Sequence, residues 1–99
     1  MSKKLEEEVS GDLDLVKPKM YKVLLLNDDF TSMDFVVSVL RNIFHKSEDE
    51  AYNIMLKIHN SGKGLCGVYA YDIAETKVAQ VHSYAKQNGF PLRAIMEEE

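Results

Sequence analysis

The apolar run Tyr21-Lys22-Val23-Leu24-Leu25-Leu26 has the length of a strand, and it stops on Asn27-Asp28-Asp29 with a helix-start signal, Thr31-Ser32-Met33-Asp34, close behind. A strand that passes through a polar corner into a helix restricts the chain to mixed α and β structure. The same corner sets two carboxylates and a carboxamide beside an apolar scaffold, with Thr31, Met33 and Val36 available as an apolar floor. It is rich in acceptors and seeks cations. A ligand with an ammonium group next to an apolar side chain would suit it.

The remaining pattern extends this corner into a domain. The first helix is expected to start at a Thr31 capping box, with Thr31 accepting a backbone N–H and Asp34 reaching back. Phe35, Val36, Val39, Leu40 and Ile43 recur at helical spacing and form its buried stripe. A second capping box, Ser47-Glu48-Asp49-Glu50, opens a helix with Ala51, Ile54, Met55 and Ile58 on one face, and Ser61-Gly62 with Gly64 ends it. Leu65–Tyr71 is β-compatible. Asp72-Ile73-Ala74-Glu75 repeats the capping pattern before a third helix with Ala74, Val78, Val81 and Ala85 on one side. Asn88-Gly89 and Pro91 stop that helix, and Leu92–Met96 reads as a last strand. The order β-α-α-β-α-β predicts an α+β fold, a small, mostly antiparallel three-stranded sheet with three helices on one face.

Residues 1–19 differ from the rest. They contain no aromatic residue but do contain the acidic run Glu6-Glu7-Glu8 with Gly11 and Pro18, so they bury too little apolar surface to offset the entropy of ordering. They are expected to form a flexible N-terminal extension ahead of a core spanning 20–99. Ninety-nine residues make one small domain, and the net charge of -4 argues against a nucleic-acid partner, which needs a basic surface. No stretch is long and apolar enough to span a membrane, and residues 1–19 lack the apolar core of a secretion signal. Cys66 has no second cysteine to pair with, and between Leu65, Gly67 and Val68 it reads as a small buried residue of a reducing compartment. A cytoplasmic location is expected. His45, His59 and His82 lack a Ser or Cys partner at recognisable spacing, so no enzyme, metal site or cofactor is predicted.

Met55, Ile58 and His59 stand three and four residues apart and share one face of the second helix. If that face lies against the start of the first helix, His59 joins Asn27 and Asp28 at a mouth, while Met33, Val36, Met55 and Ile58 wall a cavity below. Methionine suits such a wall because its unbranched thioether adapts to varied guests. Periodicity by itself favours a plainer account, with Met and Ile as core, His59 as a bystander and Asn-Asp-Asp as a capped turn.

Several separated segments change that weighting together. Met20-Tyr21-Lys22-Val23, Leu26 to Val36, Ile58-His59 with Gly62-Lys63-Gly64, Cys66-Gly67-Val68 and Ala74-Glu75-Thr76-Lys77-Val78 resemble the ClpS family, adaptors that deliver N-degron substrates to a Clp protease. The resemblance runs in order from Met20 to about Met96. It implies a fold similar to the C-terminal domain of a ribosomal stalk protein. It implies that Asn27, Asp28 and His59 receive a substrate's free α-amino group, with Asp29 and Thr31 in support. It assigns Met33, Val36, Met55, Ile58 and Leu92 to the pocket for the first side chain, with Met33 favouring Leu, Phe, Tyr and Trp over the β-branched Ile and Val. It implies that Asp72, Glu75 and Lys77 dock on the N-terminal domain of a ClpA-like or ClpC-like AAA+ unfoldase. Of these three, Lys77 is the one without an expected capping duty. The protein is expected to act as a monomer, and its N-degron ligands are peptides and proteins.

Two other readings compete. An acidic pair at a strand end also resembles the magnesium-binding corner of a receiver domain, although the chain is short for five β-α units and lacks their rhythm. The fold kinship alone would allow a purely structural ribosomal-type module.

Overall fold

The computed structural model describes residues 18–99. The predicted extension, residues 1–19, therefore lies outside the described residues except for Pro18 and Lys19. The elements run β1 (Met20–Leu26), α1 (Met33–Asn42), α2 (Glu48–Ser61), β2 (Lys63–Ala70), α3 (Tyr71–Gln87) and β3 (Arg93–Glu98). This is the predicted β-α-α-β-α-β order. The strands form one sheet in the order β2-β1-β3, and β1 pairs antiparallel with both neighbours.

Alternation along the strands decides which face is covered. Val23 and Leu25 of β1, Cys66 of β2 and Ala94 of β3 join one buried cluster with Phe35, Val36, Val39 and Leu40 of α1, Met55 and Ile58 of α2, and Ala74, Val81 and Ala85 of α3. The helices thus pack on one face. Leu24, opposite Leu65 and Ile95, belongs to the other. Cys66 has no partner on β1, since Val23 pairs with Gly67 and Leu24 with Leu65. It is the extra residue of a β-bulge, buried as expected. Burial pushes its thiol up to about 12, which leaves it protonated and unreactive at neutral pH.

The helix ends carry two corrections. The N-cap of α1 is Ser32, whose Oγ accepts from Phe35 N at 3.1 Å, and not Thr31. Ser32 has the extended backbone a cap requires (φ -71, ψ 151), while the Thr31 hydroxyl is spent on Asp28. Likewise α3 starts at Tyr71 behind Ala70 and has no side-chain cap, so Asp72 lies inside the first turn. Its carboxylate there faces the positive end of the helix dipole. The Ser47–Glu50 capping box on α2 forms in full.

Two glycines set how closely α2 approaches β2. Gly62 closes the helix at φ 95, a left-handed conformation that other residues adopt at a cost. At Gly64, a Cβ would stand 2.7 Å from Cγ1 of Ile58. A side chain there would push the helix off the strand.

Candidate functional site

β1 ends at the corner, and main chain fixes the corner's first residue. Asn27 N donates to the carbonyl of Gly62 at 2.8 Å, which fastens the end of the strand to the end of α2. His59 lies in the last turn of α2, so this one bond holds the residue that follows β1 close to the helical turn that carries the imidazole.

Asp28 builds the next part of the loop. Its Oδ1 accepts from Phe30 N at 2.8 Å and from Thr31 N at 2.7 Å, and its Oδ2 accepts from Thr31 Oγ1 at 2.7 Å. Partial burial alone would raise this carboxyl, but the bonds from the Thr31 hydroxyl and the Phe30 and Thr31 amides outweigh it and hold the group below the usual carboxylate range. Asp28 is therefore a charged staple whose lone pairs are largely engaged. Asp29, beside it, is exposed and accepts no protein hydrogen bond among the described residues.

Beneath the corner is a cavity of about 210 Å³ lined by Asn27, Asp28, Asp29, Thr31, Met33, Val36, Met55, Ile58 and His59. The helical face Met55-Ile58-His59 does lie against the start of α1, as its spacing predicted. Val36, Met55 and Ile58 are buried in the floor, and Met33, the first residue of α1, is 44% exposed at the rim. Since a cavity of about 150 Å³ is enough for a benzene ring, this one has room for a single aromatic or aliphatic side chain. Leu92 does not join the lining. It is 3% exposed and packs in the central cluster instead.

The electrostatics favour a cation at the mouth. Asn27 offers a carboxamide oxygen, Asp29 a carboxylate, and His59 an imidazole. The last carbonyls of α2 add the negative end of a helix dipole.

The three expected docking residues separate into two kinds. Asp72 and Glu75 project into solvent from the first turns of α3. Lys77 is half-buried, donates from Nζ to the carbonyl of Ile43 at 2.7 Å, and stands 6.0 Å from the centroid of the Phe44 ring and 5.7 Å from that of Tyr69. It thus caps the C-terminus of α1 from a neighbouring helix. The expectation that it has no capping duty is corrected, because the C-cap of α1 is 34 residues away in sequence and leaves no trace in the spacing around Lys77. Of the remaining histidines, His82 is engaged through Nε2, which accepts from Ala94 N at 3.0 Å.

With this geometry in place, comparison with known proteins gives one consistent answer. Residues 16–95 match the family model of the ATP-dependent Clp protease adaptor protein ClpS. The chain belongs to the ClpS family. Among curated relatives, a ClpS adapter of Wolinella succinogenes is 56% identical over 93 residues, covering 94% of this chain and 91% of that one. A ClpS adapter of Helicobacter hepaticus is 60% identical over 91 residues, covering 92% of each. Among solved structures, Agrobacterium tumefaciens ClpS2 bound to L-phenylalaninamide superposes with a TM-score of 0.81 at 43% identity, covering 84% of this chain and 100% of that one. The ClpS relatives are named as adaptors rather than enzymes. Among the described residues, no helix is long and apolar enough to cross a membrane.

Proposed function

We propose that this ClpS-family adaptor recognises N-degrons, gripping a free α-amino group and the first side chain together, and hands the bound protein to a Clp AAA+ unfoldase and protease in the cytoplasm. The observation that carries the reading is a row of acceptors directly above an apolar cavity sized for one side chain. Phenylalaninamide, the ligand of the ClpS2 relative, has both halves of that key, a free α-ammonium and an aromatic side chain.

Asn27, Asp29 and His59 take the ammonium. This reading gives Asp29 the carboxylate contact expected of Asp28, on the ground that Asp28 is occupied in bracing Thr31 and the loop while Asp29 remains available. An α-ammonium has a pKa of about 7.7 to 8.0, is mostly charged at neutral pH, and supplies three donors. Acetylation removes the charge and leaves the acceptors unmatched, at about 1 to 3 kcal/mol for each buried one. Met33, Val36, Met55 and Ile58 take the side chain, and burying a Phe or Leu is worth about 1.5 to 3 kcal/mol. The two contributions are similar in size, so neither alone gives tight binding.

Asp72 and Glu75 contribute to a docking face for the N-terminal domain of the unfoldase, ClpA-like or ClpC-like, with one adaptor acting as a monomer and residues 1–19 available to the unfoldase pore. A receiver-type magnesium site fits less well. The antiparallel order β2-β1-β3 is not a parallel doubly wound sheet, and the Asp28 oxygens that would ligate the ion already accept from Thr31 and Phe30.

Fluorescence anisotropy tests the reading with a Phe-initiated peptide, its N-acetylated twin and a Val-initiated control. The free Phe peptide should bind, the other two should bind at least about tenfold more weakly, and His59→Ala should weaken the first. Equal binding of the free and acetylated peptides would refute it.

A further inference from the structure

The corner holds one large apolar group that the pocket does not use. Phe30 is 78% exposed, the most of any large hydrophobic side chain among the described residues. It belongs neither to the buried cluster nor to the partly buried layer around it. No aromatic partner faces it among the described residues. An isolated exposed apolar residue needs no explanation on a mobile loop. Phe30 is not on one, because its own amide and that of Thr31 are both bonded to Asp28 Oδ1. A charged staple thus holds a ring out in water.

Its place in the chain says what the ring would meet. Phe30 lies between Asp29 and Thr31, both of which line the cavity. On the reading proposed above, the first residue of a bound chain fills that cavity with its amine at the acceptors. The next Cα lies about 3.8 Å further on and has to leave over the rim. Met33, half-exposed, lines the cavity, and Phe30 is the exposed apolar residue that stands in the chain between two lining residues.

We infer that Phe30 is a specificity-determining residue for the second position of the bound chain, favouring an apolar side chain there. The staple fixes the loop in advance, so the contact does not carry the entropy cost of ordering it. The preference rests on the proposed amine-and-side-chain reading and extends it by one residue.

The test compares three ligands by anisotropy or calorimetry: Phe-Leu-initiated and Phe-Ala-initiated peptides with otherwise equal sequence, and phenylalaninamide, which has no second residue. The wild type should prefer Phe-Leu over Phe-Ala by about fivefold, the ratio expected when roughly 40 Å² of apolar surface leaves water. Phe30→Ala should abolish that preference and leave phenylalaninamide binding unchanged, and Phe30→Leu should retain part of it. An unchanged Leu-to-Ala ratio in Phe30→Ala overturns the inference. So does an equal loss for all three ligands, which would make the ring part of the first pocket. Failure of the wild type to bind phenylalaninamide would instead sink the proposed function itself.

Discussion

Replacing Lys77 by methionine keeps most of the side chain's bulk and removes its ammonium. The ammonium donates to the Ile43 carbonyl at 2.7 Å and lies near the Phe44 and Tyr69 rings. A hydrogen bond from a charged donor contributes about 1.5 to 3 kcal/mol, and a partly exposed cation over a ring about 0.5 to 1 kcal/mol. These contributions overlap, since one ammonium makes them all, and about 2 kcal/mol is a fair total. In a domain of this size 1 kcal/mol moves Tm by about 4 to 8 °C, so Lys77→Met should melt at least about 8 °C lower by circular dichroism. Lys77→Arg should recover part of the loss. Lys77→Glu should be worst, because a carboxylate would face the negative end of α1. A charge reversal at Lys77 would then impair delivery partly through folding, and its effect on docking has to be read below the variant's own melting range. A Tm within about 2 °C of wild type for Lys77→Met would show that the contact is worth little.

Two further outcomes follow from the site. Met33→Ala should narrow the gap between Leu- or Phe-initiated and Val- or Ile-initiated peptides by about threefold or more, since a methylene-scale misfit is worth about tenfold upward; unchanged discrimination in anisotropy would place the filter elsewhere. Asp28→Asn should lower stability at neutral pH, because a carboxyl whose folded value is depressed contributes above its unfolded value. The difference between variant and wild type should shrink as pH falls below about 3.9 and through the lowered folded value. Chemical denaturation across pH 2–7 checks the sign, and a difference that grows in acid would contradict it.

What the sequence disclosed was what local chemistry encodes. The β-α-α-β-α-β order, the Ser47–Glu50 box, the Gly62 stop and the face shared by Met55, Ile58 and His59 all depend on neighbours within a few residues. Where two hydroxyls competed, pattern alone could not choose. Thr31 and Ser32 both suit a cap, and the decision came from Asp28, which takes the threonine. The loop bonds of Asp28 were hidden for the same reason, since it and Asp29 are the same residue type and only the loop geometry separates them. Lys77 and Leu92 depended on contacts from distant parts of the chain. The Ile43 carbonyl is 34 residues from Lys77, and Leu92 packs in the buried cluster outside the pocket lining.

The bond from the Asn27 amide to the Gly62 carbonyl joins two peptide groups, so no side chain at either position is needed to make it. The spacing of carboxamide and imidazole is in that sense a property of the scaffold, whereas the size and shape of the chamber below depend on exchangeable residues such as Met33, Val36 and Met55. Selection could therefore widen or narrow the appetite for particular first residues while the check for an unmodified chain start stays as strict as before.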